Sequence, residues 1–266
     1  MLVKRLSMLL AGVQKSGTTT LHVLLDGLPE LAGPPGQKEL HFFDNESSID
    51  WRDPDYRLLH DAFADTPEDA LWFESTPITI FWPGALRRVR DYNPSIKLVL
   101  LFRDPVERAV SAWRMERARG VETLGFREAI AAEDRRCSQS SDAMRQFSYR
   151  KRGYYGAQLS RALTLFPREQ MLLLRFDDLV AAPAATLTTI ADFVGVSGPR
   201  GDLPPVHLNN NARDDGLVPE PEALNQLAED YREDLLRFRE LSGLDLSCSW
   251  LSGARLAGAS DSEVSG

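Results

Sequence analysis

The feature that most constrains the fold is the run Lys97–Phe102, in which five apolar residues follow a lysine without interruption. A strand with one face in water alternates apolar and polar residues, whereas an unbroken apolar run is typical of a parallel strand covered on both faces. Pro105 follows at a position where a helix can begin. The run therefore predicts a buried parallel strand that leads into a helix.

Other segments repeat this order of strand and helix. We predict strands at Met8–Val13, Leu71–Glu74, Lys97–Phe102 and Met171–Phe176, and helices at Thr18–Leu28, from Pro105 through Trp113, at Phe126–Arg136, through Tyr155–Phe166, at Ala184–Val194 and through Leu224–Phe238. We expect Pro29–Gln37 to be a loop and the polar segment Cys137–Ser148 to be mobile. Such alternation predicts an α/β fold, a three-layer sandwich with a mainly parallel central sheet. We expect a single domain over residues 1–251 and a flexible tail over residues 252–266.

The composition excludes several classes of protein. The chain has 31 basic and 39 acidic residues, so its net charge is −8, and an acidic chain predicts no nucleic-acid partner because such binding depends on neutralising phosphates. Its two cysteines, Cys137 and Cys248, exclude a disulfide framework and a four-cysteine zinc site. No apolar stretch is long enough to span a membrane. We therefore expect a cytoplasmic protein without a metal site or a membrane span.

The segment Gly12–Thr20 joins the first predicted strand to the first predicted helix. Glycines allow a tight turn close to a ligand, and the first N–H groups of a helix attract anions. The side-chain donors of the segment are Lys15, Ser16, Thr18 and Thr19. They predict a P-loop-like anion-binding loop, although Lys15 precedes Gly17, whereas the lysine of a Walker A loop follows the second glycine. A plain turn with a capped helix fits this segment equally well when it is considered alone.

Further segments occur in an order that resembles a known family. They are Lys15–Thr19, then Lys38-Glu39-Leu40-His41-Phe42-Phe43-Asp44, then Leu100–Pro105 through Ser111, then Gly153-Tyr154-Tyr155, Phe166-Pro167 and Phe176–Leu179. Together they resemble the sulfotransferases that use 3′-phosphoadenylyl sulfate (PAPS), in the branch of the heparan sulfate sulfotransferases and their bacterial relatives. The similarity covers nearly the whole chain.

The resemblance implies a donor site for PAPS, with PAP as the product and no required metal. The residues implied to bind the 5′-phosphosulfate are Lys15, Ser16, Gly17, Thr18 and Thr19. Lys15 is also implied to stabilise the leaving phosphate, and Arg103 and Ser111 to hold the 3′-phosphate. Arg213 matches, more loosely, a basic loop that closes over the nucleotide in related enzymes.

Transfer of a sulfuryl group to a hydroxyl needs a base that takes the hydroxyl proton. Glu39 matches the base of the family. His41 is the alternative base, because a neutral imidazole is competent near pH 7. The alternation of side chains along a strand-like segment would place Glu39 and His41 on the same side, so we expect both to face the cleft.

Two other functions are compatible with parts of the sequence. The run that ends at Asp104 resembles a Walker B strand, which would suit a P-loop-type kinase. A non-catalytic nucleotide-binding module would need Lys15 and Arg103 but not Glu39. The ordered motifs favour a PAPS-dependent O-sulfotransferase, whose acceptor would be a hydroxyl of a small molecule, a carrier-bound chain or a glycan.

Overall fold

A computed structural model of the chain describes residues 4–199 and 218–246. The strands are β1 (Met8–Gly12), β2 (Leu31–Ala32), β3 (Leu71–Glu74), β4 (Lys97–Phe102) and β5 (Met171–Arg175). The α-helices are α1 (Thr18–Asp26), α2 (Arg57–His60), α3 (Ala85–Tyr92), α4 (Pro105–Ala118), α5 (Phe126–Cys137), α6 (Ser141–Phe147), α7 (Tyr155–Leu163), α8 (Phe176–Ala181), α9 (Pro183–Val194) and α10 (Pro221–Ser242). Strands and helices thus alternate along the chain as the sequence predicts.

The strands form one parallel sheet in the order β2-β3-β1-β4-β5. The predicted α/β class with a parallel central sheet is therefore confirmed. The chain leaves β1 toward the β2 side of the sheet and leaves β4 toward the β5 side. A crevice for ligands opens at such a switch point, beyond the carboxyl ends of the two adjacent strands.

Both faces of the sheet are covered. One face carries Met8, Leu10, Phe73, Val99 and Leu101, which form a core with apolar residues of α1, α8 and α9. The helical members of this core are Leu21, Leu24, Leu25, Leu179, Leu187, Ile190, Ala191 and Val194. Alternate residues of the central strands, which point to the other face, are also fully buried. The continuous apolar run in β4 follows from this double burial.

The chain divides into two compact units. In its described part, the first unit comprises residues 4–103 and 158–199 and contains the whole sheet. The second comprises residues 104–157 and 218–246, and its core includes Trp113, Phe126, Tyr149 and Tyr231. A single domain over residues 1–251 stays a prediction, and the expected tail at 252–266 lies outside the described residues.

The sequence analysis missed two local elements. The segment Cys137–Ser148, expected to be polar and mobile, contains α6, which begins where Ser140 Oγ accepts a hydrogen bond from the Ala143 N–H at 3.0 Å. The loop predicted at Pro29–Gln37 contains the short strand β2, which pairs with β3. In the described part of the chain, no helix combines the length and the apolar character that crossing a membrane requires.

Candidate active site

The loop between β1 and α1 has the geometry of an anion-binding turn. Gly17 is the N-cap of α1 with φ of 82°, and a Cβ there would lie 2.9 Å from the ring of Phe176. Gly17 has no side chain to cap the helix, and no side-chain cap hydrogen bond is made there. The Ser or Thr cap of the alternative interpretation is therefore wrong, whereas the binding of a phosphate group at this helix start stays a prediction.

Lys15 and His41 are the two non-glycine residues with positive φ among the described residues, at 72° and 51°. A left-handed conformation costs a non-glycine residue on the order of 1 kcal/mol. Such strained residues concentrate at functional sites, where the surrounding structure holds them in place. The sequence motifs single out the same two residues independently.

The remaining loop residues differ in exposure. Ser16 is fully buried, and its hydroxyl makes no hydrogen bond to any described residue. Thr18 is buried and Thr19 is exposed. The ammonium of Lys38 lies 3.5 Å from Thr18 Oγ1, so a second lysine stands beside the start of α1.

Arg103 lies next to this loop, directly after β4. Its Nη1 donates to the backbone oxygen of Lys15 at 3.4 Å, and its guanidinium lies 4.9 Å from the ring centroid of Phe176. The same ring packs against Gly17. The structure thus brings Lys15 and Arg103 together at the carboxyl ends of β1 and β4, where parallel sheets bind ligands.

Two residues predicted to bind the donor, Ser111 and Arg213, have no described contact with the loop between β1 and α1. Ser111 lies half-buried in α4, within the second unit. Arg213 lies outside the described residues. Their proposed contacts with a nucleotide stay predictions.

The segment that carries Glu39 and His41 is not strand-like, so that expectation is wrong: residues 39–42 form neither helix nor strand. The left-handed turn at His41 nevertheless brings the two side chains together, with 3.4 Å between His41 Nε2 and Glu39 Oε2. His41 Nδ1 lies 2.9 Å from Asp44 Oδ2, and Lys38 Nζ lies 2.6 Å from Glu39 Oε1. The four groups alternate in charge in the order Asp44, His41, Glu39, Lys38.

These contacts decide which group can accept a proton. The hydrogen bond to Asp44, reinforced by that to Glu39, raises the pKa of His41 to about 9, so His41 is protonated at neutral pH. Burial raises the pKa of Glu39, but the hydrogen bond from His41 and the charge of Lys38 outweigh it, and the net pKa lies below the ordinary 4.5. At neutral pH Glu39 is therefore an ionised carboxylate, whereas His41 already holds its proton.

Asp44 is a functional candidate that the sequence analysis missed. It is fully buried, and its carboxylate keeps His41 charged. A signal was present, because an aspartate three residues after a histidine in one motif is a common partner for the imidazole. The motif had been interpreted only as far as Glu39 and His41.

The structure gives Asp104 a structural role that differs from the Walker B role required by the kinase alternative. Its Oδ1 accepts hydrogen bonds from the N–H groups of Val106 at 2.8 Å and Glu107 at 3.1 Å, so it caps α4. This accounts for an aspartate after β4 without a Walker B role. Among the described residues, no group of three or more His, Cys, Asp or Glu side chains is arranged to hold a metal ion.

The chain is similar to known proteins in both sequence and fold. Residues 6–209 match the family described as the sulfotransferase domain. The crystal structure of a sulfotransferase from Alicyclobacillus acidocaldarius superposes with a TM-score of 0.75 and 27% identity, and the match covers 94% of this chain and 100% of that one. The fold also resembles the sulfotransferase domain from the curacin biosynthetic pathway, with a TM-score of 0.52 and 18% identity over 75% of this chain and 80% of that one.

Two human relatives extend the comparison. Bifunctional heparan sulfate N-deacetylase/N-sulfotransferase 2 is 29% identical over 203 residues, which cover 71% of this chain and 22% of that protein. Heparan sulfate glucosamine 3-O-sulfotransferase 6 is 29% identical over 195 residues, which cover 71% of this chain and 52% of that protein. The chain thus spans only a part of the length of these curated relatives. Since the family match includes most of its residues, and the motifs occur in the predicted order on the predicted fold, the chain belongs to the sulfotransferase family.

Proposed function

We propose that this chain is a PAPS-dependent O-sulfotransferase. The observation that carries the proposal is the position of Lys38, whose ammonium lies 3.5 Å from Thr18 Oγ1 at the start of α1 and 2.6 Å from Glu39 Oε1. Lys38 joins an anion-binding helix start and an ionised carboxylate in one site. Sulfuryl transfer needs both, whereas a non-catalytic nucleotide-binding module needs only the first.

The residues around the loop fit a donor that carries phosphate groups at both ends. We assign the 5′-phosphosulfate to the loop from Lys15 to Thr19, because its helix start and lysine favour an anion. We assign the 3′-phosphate to Arg103, whose planar guanidinium suits a phosphate, together with Ser111. We assign Arg213 to the nucleotide as well, on its sequence match alone.

In the proposed reaction the acceptor oxygen attacks sulfur in line with the phosphate leaving group. A bond forms between the acceptor oxygen and sulfur while the bond between sulfur and the phosphate oxygen breaks. Glu39 takes the hydroxyl proton, and Lys15 with the start of α1 stabilises the charge that develops on the leaving phosphate. His41, kept charged by Asp44, orients the Glu39 carboxylate. The products are the sulfated acceptor and PAP.

We propose a hydroxyl of a small molecule, a carrier-bound chain or a glycan as the acceptor. The human relatives carry heparan sulfate in their names, but the net charge of −8 disfavours a strongly anionic acceptor for this chain. We also propose that the chain works in the cytoplasm, which the low cysteine content supports.

The test is transfer of radiolabelled sulfate from PAPS to a panel of hydroxylated acceptors by the wild-type chain and by Glu39→Gln. Glutamine keeps the size of the side chain but cannot take the proton, so we expect turnover to fall by roughly 10²- to 10⁴-fold. The affinity for PAP, measured by calorimetry, should stay within a few-fold. The matched control is Glu68→Gln, at an exposed carboxylate outside the segment that carries Glu39 and His41.

Two results would count against the proposal. An active Glu39→Gln variant beside an inactive His41→Ala variant would make His41 the base. Phosphate transfer from labelled ATP to the same acceptor panel, without sulfate transfer from PAPS, would favour the kinase alternative.

A further inference from the structure

The carboxyl end of β3 holds the backbone of the segment that carries Glu39 and His41. Glu74 Oε1 accepts a hydrogen bond from the Leu40 N–H at 2.9 Å. Thr76 Oγ1 accepts a hydrogen bond from the His41 N–H at 3.3 Å and donates its own proton to Glu74 Oε1. Two successive backbone N–H groups are thus fixed by one pair of side chains.

We propose that Glu74 and Thr76 are positioning residues for sulfuryl transfer, which hold Leu40 and His41 so that the Glu39 carboxylate is aimed at the acceptor hydroxyl. The inference rests on the proposed function. Neither residue touches the reacting atoms in this assignment, and both act through the backbone of the segment that they bind.

Glu74 and Thr76, which we call the anchor, are rigid. Strand pairing also fixes their position relative to the loop between β1 and α1. Glu74 and Thr76 are each only 2% exposed, so packing fixes their side chains. Glu74 pairs with Leu9 of β1, the strand that continues into the loop of Lys15. One strand pair therefore sets the distance between the proposed base and the proposed leaving-group site, and side chains on strands hold such geometry better than loops do.

The anchor also explains why His41 keeps a strained backbone. A left-handed residue other than glycine persists only where its surroundings hold it. The hydrogen bond from the His41 N–H to Thr76 provides that restraint directly. The turn it stabilises is the one that brings the His41 imidazole to Glu39 and Asp44.

A carboxyl at position 74 is costly, which argues for a specific task. Burial, with a smaller contribution from the carboxylates of Glu39 and Asp44, outweighs the hydrogen bonds from Thr76 and Leu40 and raises the pKa of Glu74 to about 7. Glu74 Oε2 is buried and has no hydrogen-bond partner among the described residues. An apolar residue would avoid this cost, so the oxygen that accepts from Leu40 is the feature that the site needs.

The experiment compares disruptive and conservative variants at both positions. Glu74→Leu and Thr76→Val remove the acceptor oxygens, whereas Glu74→Gln and Thr76→Ser retain them. The matched control is Ser75→Ala, because the buried Ser75 hydroxyl hydrogen-bonds with His22 Nδ1 at 2.8 Å and not with the segment. For each variant we would measure kcat, the KM for PAPS, the affinity for PAP, and the pKa of His41 by NMR titration.

We expect Glu74→Leu and Thr76→Val to lower kcat by about 10- to 100-fold, the size of effect that a small misplacement of a catalytic group produces. The KM for PAPS and the affinity for PAP should stay within a few-fold. In the same two variants the pKa of His41 should fall from about 9 toward its ordinary value of 6.5. Glu74→Gln, Thr76→Ser and Ser75→Ala should resemble the wild type in every measurement.

The outcomes separate this inference from the proposed function. Normal kcat and an unchanged His41 pKa in Thr76→Val would overturn the positioning role, even if Glu74→Leu fails to fold. An inactive Glu74→Gln beside an active Thr76→Val would overturn it too, since Glu74 would then carry a proton itself. A wild-type chain that transfers no sulfate would defeat the proposed function, while the NMR titration would still decide whether the anchor holds the segment.

Discussion

Each oxygen of the Glu39 carboxylate has one cationic neighbour: Lys38 lies beside Oε1 and His41 beside Oε2. A carboxylate oxygen has two lone pairs, so each retains capacity for a further donor such as an acceptor hydroxyl. The two cations keep Glu39 ionised, and as a proton moves onto Glu39 the charge on Lys38 can serve the leaving group at the start of α1. Lys38 is thus suited to act both on Glu39 and on the leaving group.

The protonation of His41 predicts an alkaline limit to activity. Because the pKa of His41 is raised to about 9, we expect kcat/KM to fall as pH rises through about 9, when the imidazole loses the charge that orients Glu39. The same raised pKa stabilises the fold fully below the ordinary value of 6.5, and that contribution is lost as pH rises through about 9. Initial rates across this range measure the effect. In His41→Asn, kcat/KM should not show this fall at alkaline pH. The same fall in that variant would contradict the role assigned to His41.

Arg103 should matter for binding rather than for chemistry. Its proposed phosphate is distant from the transferred sulfur, so its contact is the same in the ground state and in the transition state. We expect Arg103→Ala to weaken PAP binding by about 10- to 100-fold, typical of losing a charged hydrogen bond, and to change kcat at saturating PAPS by only a few-fold. Calorimetry and saturation kinetics measure the two effects, with the exposed Arg114→Ala as the control. Unchanged PAP affinity would remove Arg103 from the donor site.

At the residue scale, the sequence predicts which side chains belong to motifs but not how they contact one another. Lys15, Glu39 and His41 stand out because strand, loop and motif order can be read locally. The contact between His41 and Asp44 depends on a left-handed backbone at His41, which few residues other than glycine adopt. The bonds from Glu74 and Thr76 join residues that are far apart in the chain, so no local pattern announces them.

The β1-loop-α1 unit depends on a close approach between two elements. The ring of Phe176, at the start of α8, packs against Gly17 and also lies against the guanidinium of Arg103. One aromatic side chain therefore sets the spacing between the helix start and the arginine. The loop geometry is a property of several elements and not of its glycines alone.

A pair of glycine variants tests this spacing. Gly17 and Gly36 both have positive φ, at 82° and 75°, but a Cβ would meet the Phe176 ring at position 17 and nothing within 4 Å at position 36. Both alanine variants bear the left-handed penalty of about 1 kcal/mol. We expect Gly17→Ala to lose roughly 1–3 kcal/mol more because it also overpacks the ring, and to bind PAP more weakly. Urea denaturation and calorimetry measure both effects, and equal stability losses would show that the ring yields freely.

Elements were predictable where burial shapes their sequence. The apolar run of β4 is covered on both faces, so its residues alone indicate a parallel strand. Helix α6 has no buried residues, so it has no apolar stripe to reveal it. Strand β2 has two residues and is defined by its pairing with β3, which is distant in sequence. Predictions failed where tertiary pairing or a single cap decides the local structure.

At the scale of the whole molecule, an acidic chain binds an anion only through a local concentration of positive charge. The net charge is −8, yet Lys15, Lys38 and Arg103 all belong to the region around the start of α1. We therefore expect the proposed donor to be attracted by short-range contacts and helix N–H groups rather than by the overall field of the chain. The affinity should accordingly depend on these few cations.

These cations supply the charge that phosphate groups need, so nucleotide binding should not depend on a divalent metal. We expect PAP at about 100 times its Kd to stabilise the chain by about 2.7 kcal/mol. The same stabilisation should be measured in EDTA by thermal unfolding, and adenosine, which lacks the phosphates, serves as the control. Loss of the PAP effect in EDTA would contradict the expectation.

The central place of β1 has a consequence for how the chain acquires its shape during synthesis. Met8 pairs with Phe73 on one side and with Lys97 on the other, so neither partner strand exists when β1 leaves the ribosome. Closing these long loops is entropically costly and slow, and apolar strands that wait for partners are prone to aggregate. The loop that follows β1 is therefore made early in synthesis, but the pairing that holds β1 can form only after β3 and β4 have been made.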